Sequence, residues 1–227
     1  SITLANVDLY KKFFLSELVA KYEWVKFWQI GVTPENKDSS DAYNCAPDAY
    51  VDLMKYIYTK TKAFNSTISI GGPGCFEAIS DYVKNHEGWL AAVFGEYFNK
   101  AGEYTSIGTK GVLPYIDFFA FQGKQNTTEI SYNGYENTIN VLKEGIYTRL
   151  GDNSIYFIST KQGWKADTND EQALKQQGYY DIREMLNAIK YNVVPFKDEL
   201  VDEYPEAVAY NGKFDSTRLH YGMLTWY

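Results

Sequence analysis

The fold is decided by residues 24–36, which read WVKFWQIGVTPEN. Within them, Val25 to Ile30 holds four apolar residues out of six, two of which are large aromatics. Such a short apolar run, closed by Gly31 and Pro34, is typical of a buried strand that ends in a sharp loop. Because segments with helical periodicity flank it, the pattern predicts a parallel sheet covered by helices.

The rest of the chain repeats this alternation of strand and helix. Residues 71–74 read GGPG and predict a tight turn after a short strand, because glycine allows backbone angles that other residues resist. Residues 191–205 contain two prolines and predict a looser segment. Further strands are expected at 66–70, 115–121, 154–160 and 221–227, and helices at 8–22, 50–64, 77–101, 131–150 and 168–191.

The end of the first strand resembles a family motif. Its residues Trp28, Gly31 and Pro34 are similar to the frame Trp-x-x-Gly-Asn-Glu-Pro. That frame closes the fourth strand of the retaining glycoside hydrolases of clan A, which are (β/α)8 TIM barrels whose Glu is the general acid/base. In this chain Val32 replaces the Asn and Thr33 replaces the Glu.

Two later strands resemble the same family and depart from it in the same way. Thr160, Gly163 and Trp164 match the seventh-strand motif Thr-Glu-x-Gly-Trp, but Lys161 stands where the nucleophilic Glu belongs. After the strand that resembles the sixth, Gln122 occupies the position of a His. The resemblance therefore implies that the scaffold is kept while the reacting groups are replaced.

The last seven residues complete the resemblance, since Trp226 is similar to the Trp that often floors the sugar site after the eighth strand. The resemblance covers strands four to eight only. It implies an α/β fold, a partial TIM-barrel-like (β/α) barrel of about five parallel strands with flanking helices. We expect residues 1–227 to form a single glycoside-hydrolase-like domain of a larger protein, or a domain that missing chain completes; a self-sufficient open sheet is the alternative.

Retaining hydrolysis needs two carboxyl groups about 5–5.5 Å apart. A Thr33 hydroxyl is too weak an acid to protonate a leaving oxygen, and the charge of Lys161 would oppose the developing oxocarbenium ion. We therefore expect no catalytic residue at these positions. Relocated acids are the alternative, with Glu35 as the first suspect and Glu129 as another, whereas Asp117 is expected at the opposite, stabilising end of its strand.

The same positions are candidates for binding sugar. Lys161 is expected as a structural cation paired with Glu35 or another acid, or as a nucleophilic amine. Trp28 is expected in the core, whereas the other two tryptophans have either a stacking or a packing role, because an indole ring can cover the apolar face of a sugar. The expected substrate-binding residues are Trp164, Trp226, Gln122, Lys161 and Thr33.

Cys45 and Cys75 follow neighbouring expected strands, so a disulfide between them is predicted, with two unrelated buried thiols as the alternative. Asn65 and Asn126 begin Asn-x-Thr triplets, which are the acceptor pattern for N-glycosylation. Together these features favour an extracellular, cell-surface or virion location.

Composition narrows the function classes. The 227 residues carry a net charge of −7 and no basic cluster, which makes nucleic acid a poor partner, and no apolar run is long enough to span a membrane. The two Cys and two His match no metal-site spacing, and no cofactor is implied. The 21 tyrosines suit contacts with sugars or proteins.

Three hypotheses remain open from the sequence. The first is a catalytically inactive glycosidase-like module that binds carbohydrate or serves a surface or particle assembly. The second is a working glycosidase with relocated carboxylates. The third is a pure assembly protein that binds no sugar. The expected partners are a carbohydrate or glycoprotein surface, and other subunits or missing chain segments that complete the barrel.

Overall fold

The computed structural model describes residues 7–35, 45–96, 108–125, 132–164 and 171–197. The chain divides into two compact units. Unit 1 comprises Ser1–Ala120 and Thr138–Tyr156, and unit 2 comprises Phe121–Asn137 and Phe157–Tyr227. In the described part of the chain, no helix is long and apolar enough to cross a membrane.

The architecture is α/β, a partial (β/α) barrel of parallel strands with flanking helices, as predicted. The helices are α1 Val7–Phe13, continued by a π-helical segment Phe14–Val19, then α2 Pro47–Phe64, α3 Glu77–Asn85, α4 Gly88–Val93, the 3-10 segment Leu113–Tyr115, α5 Tyr132–Leu150 and α6 Glu171–Lys190. The strands are β1 Phe27–Gln29, β2 Ser69–Cys75, β3 Phe118–Phe121, β4 Lys124–Gln125, β5 Tyr156–Trp164 and β6 Val193–Lys197.

In unit 1, β1 and β2 pair in parallel, with Phe27 opposite Ser69 and Gln29 opposite Gly71. The segment that leads into β3 joins the other side of β2, where the Asp117 N–H donates to the Ile70 carbonyl over 2.7 Å. The sequence order of strands is thus their spatial order here, which is the arrangement of consecutive βα units.

Side chains of unit 1 leave the sheet on both faces. On the helix side, Trp28 packs edge to face on Phe14, with ring centroids 5.4 Å apart, which places Trp28 in the core as expected. On the opposite face, Phe118 lies between Phe27 and Tyr156, at 6.2 and 5.9 Å. Phe118 is buried, whereas 58% of Phe27 is exposed, so this inner face is covered only in part.

In unit 2, β5 is the central strand and pairs in parallel with β4 on one side and β6 on the other. The register places Gln125 opposite Trp164 and Phe157 opposite Val193. The pairing with β6 shifts between Ser159 and Gln162. Helix α6 supplies the crossover between the two parallel strands β5 and β6, as a βαβ unit requires.

Two expectations about local structure are wrong. The glycine run 71–74 is not a turn that ends the strand, because β2 continues through it to Cys75 with a cis Gly72–Pro73 peptide. The segment expected to be loose contains β6, in which Pro195 lies opposite Ser159. The expected strand at 221–227 and the first three residues of the helix expected at 168–191 lie outside the described residues.

Candidate functional site

The carboxyl ends of β1 and β2 meet at one edge of unit 1, where a parallel barrel carries its chemistry. Beyond β1 the pairing continues, since the Ile30 N–H donates to Gly71 O over 2.8 Å and the Thr33 N–H donates to Gly74 O over 3.1 Å. These bonds extend the backbone pairing as far as Thr33, the residue that replaces the acid/base Glu of the resembling family.

Two side chains fix the backbone of this edge from below. The Tyr50 hydroxyl, from α2, donates to Ile30 O over 2.8 Å in a buried setting. The Gln29 side-chain amide donates to Gly31 O over 2.7 Å. Sequence reasoning missed both residues, although a polar Gln at the last position of an otherwise apolar strand is a signal that could have revealed the second.

The turn itself is held in an unusual backbone conformation. Gly31 has φ +98°, and a side chain there would come within 3.0 Å of Pro73 O. Thr33 has φ +45°, which is uncommon for a β-branched residue. A residue held in this region indicates that the surrounding contacts determine the loop, and the loop therefore presents Thr33 in a fixed place.

Glu35 is the acid at this edge of unit 1, and it lies inward. Only 9% of the residue is exposed, and its Oε1 accepts the Phe76 N–H over 2.6 Å. Phe76 immediately precedes α3, so the carboxylate stabilises the start of that helix as an acceptor for an otherwise unsatisfied donor. The structure thus brings Thr33, Glu35 and Cys75 together, but it commits the acid to the backbone.

The predicted disulfide is wrong, because Cys45 and Cys75 are both free and buried. The Cys45 backbone is held on both sides: its N–H donates to Pro34 O over 2.9 Å, and its carbonyl accepts the indole N–H of Trp89 over 2.6 Å. Each cysteine therefore fills the core beneath the edge as a small apolar side chain.

Both thiols are poor nucleophiles in these surroundings. Burial, followed by the negative charge of Asp48, raises the pKa of Cys45 to about 12. Burial, followed by the charge of Glu35, raises the pKa of Cys75 well above its ordinary value. Since the thiolate is the reactive form, neither cysteine is suited to nucleophilic catalysis near neutral pH.

The remaining predicted residues lie in unit 2. Gln122 follows β3 directly and is half-buried, Lys161 lies within β5, and Trp164 is the last residue of that strand. The Thr160 hydroxyl donates to Phe121 O over 3.3 Å, which links β5 to the end of β3 at the residues that precede Lys161 and Gln122 in the sequence. Trp226, Asn126 and Glu129 lie outside the described residues.

Asp117 occupies the opposite end of the strands, as expected. Its Oδ2 accepts the Ile70 N–H over 2.7 Å and lies 2.9 Å from the Lys62 ammonium. The Tyr58 hydroxyl donates to Oδ1 over 3.4 Å. Burial and then the charge of Asp117 raise the pKa of Tyr58, so this phenol stays protonated beside the carboxylate.

Within the described ranges, no cluster of three or more His, Cys, Asp or Glu residues is arranged to hold a metal ion. The described polar groups at the edge of unit 1 include backbone N–H and C=O groups and the buried Glu35 carboxylate.

Comparisons with known proteins give structural neighbours only: no family model matches the chain and no curated protein matches it. A monomeric beta-xylosidase from Caulobacter crescentus CB15 has a TM-score of 0.56 at 13% identity, covering 99% of this chain and 44% of the other. A GH2 beta-galacturonidase from Eisenbergiella tayi has a TM-score of 0.54 at 11% identity, covering 99% and 35%. BuGH86, solved in complex with neoagarooctaose, has a TM-score of 0.53 at 12% identity, covering 87% and 34%.

The fold is therefore glycosidase-like. The chain spans less than half the length of each of these three structures. At such low identities the likeness concerns the fold alone, and the residues at the strand ends must carry any statement about function.

Proposed function

We propose that the chain is a catalytically inactive glycosidase-like domain that binds carbohydrate at the carboxyl edge of its strands, in an extracellular, cell-surface or particle-borne protein. One observation carries this proposal. Where the resembling family places its acid/base, this chain presents Thr33, and the neighbouring acid, Glu35, is buried and accepts the Phe76 N–H.

The proposed loss of catalysis rests on geometry and charge. A general acid must reach the leaving-group oxygen within hydrogen-bond distance, and a carboxylate that is 9% exposed and bonded to backbone is poorly placed for this. In unit 2, Lys161 lies in β5 and stands in the sequence where the motif of the resembling family has its nucleophilic Glu. A cation there opposes the positive charge that develops on the sugar.

Sugar binding is proposed for the side chains that remain at the strand ends. In unit 2, Trp164 would stack on a pyranose ring, as the resemblance also implies for Trp226, and Gln122 and Lys161 would form hydrogen bonds with sugar hydroxyls. In unit 1, Thr33 would form such bonds at its own strand end. Such a site needs no titratable pair, and it would survive the loss of both catalytic carboxylates.

An assembly role is a second candidate because the inner face of unit 1 is only partly covered. Phe27, which is 58% exposed, lies beside the buried Phe118 on that face. In a closed barrel such inward side chains form packed layers, so other subunits or further chain segments would complete the layer here. An assembly role of this kind is compatible with sugar binding at the strand ends and does not require it.

Sugar binding is tested by a glycan array followed by calorimetric titration of any glycan that binds. We expect Trp164→Ala and Gln122→Ala to weaken binding at least tenfold. The matched control is Trp24→Ala, because Trp24 is 76% exposed and precedes β1, at the end of the strand away from the proposed site. If the folded protein binds no glycan, the sugar-binding proposal is overturned and the assembly role is the remaining candidate.

Inactivity is tested by incubating the protein with aryl glycosides and oligosaccharides and measuring released product. We expect no turnover above the buffer rate, and no difference between the native chain and Glu35→Gln. Turnover that disappears in Glu35→Gln but persists in Glu17→Gln, a change at an exposed acid, would establish the relocated-acid hypothesis instead.

A further inference from the structure

The loop between α2 and β2 presents one of the two Asn-x-Thr triplets in an ordered turn. Asn65 caps the carboxyl end of α2 with an extended backbone, φ −152° and ψ 106°. Its Oδ1 accepts two bonds from Thr67, from the backbone N–H over 3.0 Å and from the hydroxyl over 2.7 Å. Ser66 and Thr67 are exposed, and Asn65 is partly exposed.

The direction of these two bonds matters for the chemistry. Both bonds end on the carboxamide oxygen Oδ1, so neither uses Nδ2, the atom that N-glycosylation modifies. One of the two donors is the hydroxyl of Thr67, the third residue of the triplet. N-glycosylation joins Nδ2 to the sugar and recognises the hydroxyl two residues later. The turn therefore keeps both recognition elements on the surface of the folded chain.

The loop is anchored from below. The Lys62 ammonium donates to Ile68 O over 2.8 Å and lies 2.9 Å from Asp117 Oδ2. The loop enters β2 at its amino end, opposite to the edge that carries Thr33 and Glu35. A glycan on this loop would thus leave the proposed sugar-binding edge open.

A second loop of unit 1 repeats the geometry without the acceptor. After α5, Asp152 Oδ1 accepts the Ser154 N–H over 2.9 Å and the Ser154 hydroxyl over 2.7 Å. These bonds lower the pKa of the Asp152 carboxyl. The residues read Asp-Asn-Ser, so the turn is the same but its first side chain has no amide nitrogen to modify.

We propose that Asn65 is an N-glycan acceptor and that the turn with Thr67 displays it. In the transfer step a bond forms between Asn65 Nδ2 and C1 of the sugar of a lipid-linked pyrophosphate donor. The bond between C1 and the phosphate oxygen breaks, the pyrophosphate leaves with the electron pair, and a base of the transferase takes the Nδ2 proton. The inference shares the extracellular setting with the proposed function, and it is independent of sugar binding and of inactivity.

The experiment expresses the full chain behind a secretion signal in eukaryotic cells and maps modified peptides by mass spectrometry before and after amidase treatment. We expect a glycan at Asn65 that is absent from Asn65→Gln and from Thr67→Ala, retained in Ser66→Ala, and retained in Asn126→Gln. Asp152→Asn, which creates an Asn-Asn-Ser triplet in the matched turn, should add a glycan at position 152 that the native chain lacks.

Asn65→Gln and Thr67→Ala change different residues of the triplet. If one of them is not secreted, the other still tests the proposal. A secreted, folded native chain with an unmodified Asn65 would overturn the proposal, whether or not Asp152→Asn gains a glycan. Because the readout is the modified peptide, this failure is distinct from a failure of the glycan-binding test above.

Discussion

The two ends of β2 each hold a carboxylate against a backbone N–H, but the surroundings of the two acids differ. At the amino end, Asp117 accepts the Ile70 N–H over 2.7 Å with the Lys62 ammonium 2.9 Å away. At the carboxyl end, Glu35 accepts the Phe76 N–H over 2.6 Å, and its charge acts on the Cys75 thiol. The amino end is an ion-paired brace, whereas at the carboxyl end the acid accepts the N–H that precedes α3 and lies close to a buried thiol.

This contrast bears on function because (β/α) barrels carry chemistry at the carboxyl ends of their strands and stability at the amino ends. If the carboxyl end of unit 1 were catalytic, its acid would be reachable and the amino-end acid would matter only for folding. If the carboxyl end is catalytically inactive, both acids should act as structural groups, and their removal should differ only in how much it lowers the free energy of unfolding. The following predictions separate these cases.

The largest effect is expected for Asp117→Ala, which removes a charged hydrogen bond and the partner of Lys62. Such bonds contribute about 1.5–3 kcal/mol, and breaking a buried ion pair costs more, although the partial exposure of both side chains reduces this. We expect a loss of about 2–3 kcal/mol in the free energy of unfolding, measured by urea denaturation. Asp117→Asn, which keeps an acceptor for Ile70, should lose less.

An equal loss for Asp117→Asn and Asp117→Ala would show that the charge next to Lys62, and not the bond to Ile70, carries the stability. A loss below about 0.5 kcal/mol, typical of a surface substitution, would contradict the brace altogether.

A smaller effect is expected for Glu35→Ala, about 1–2 kcal/mol, because it leaves the Phe76 N–H at the start of α3 without this acceptor. Glu35→Gln keeps an acceptor and should lose under about 1 kcal/mol on the same scale. The measurement is again urea denaturation, paired with glycan titration. Stability that falls while glycan affinity stays constant supports a structural acid, and the opposite outcome would place Glu35 in a working site.

The sequence anticipated the layout of this region because local signals determine it. The apolar run at 25–30 contains β1, and the periodic segments on either side contain helices. The placement of Asp117 followed from its position early in the strand expected at 115–121, of which residues 118–121 form β3, since position along a parallel strand decides which end of the barrel a residue faces.

The glycine run was misjudged because its cause is not local. A Cβ on Gly71 would overlap Phe118, and a Cβ on Gly72 would overlap the Tyr50 hydroxyl and Ile30 O. These neighbours come from β3, α2 and the end of β1, and no window around the glycines contains them. Glycine here permits close lateral packing in a strand, a role that shares its sequence signature with a turn.

The predictions for residues 193–197 and for the two cysteines were wrong for related reasons. Pro195 lowers strand propensity, but proline is tolerated at sheet edges, and among the described strands β6 pairs with β5 alone. For the cysteines, adjacency of two loops was inferred from strand order, whereas each thiol is directed into the core by its own neighbours. Loop adjacency does not fix the short Cβ–Cβ separation that a disulfide needs.

An effect that shows only at alkaline pH concerns Cys45, which packs under the carboxyl end of the sheet. Its pKa is about 12 in the folded chain, because of burial and then the charge of Asp48, against about 8.5–9 for an exposed thiol. As pH rises above about 9, the unfolded chain releases this proton and the folded chain keeps it. Stability should therefore fall between pH 9 and 12, by at most about 1.4 kcal/mol per pH unit for one group.

Cys45→Ala removes this contribution, so its stability should decline with pH more gently than that of the native chain, by about 1 kcal/mol per pH unit. The measurement is a series of urea denaturations from pH 7 to 10.5, a range in which the raised pKa of Cys75 affects both proteins alike. Asp48→Asn, which removes only the second cause of the shift, should lie between the two. Parallel declines for all three proteins would mean that Cys45 is not shielded when folded, and the carboxyl end would then be open enough for its acid to act.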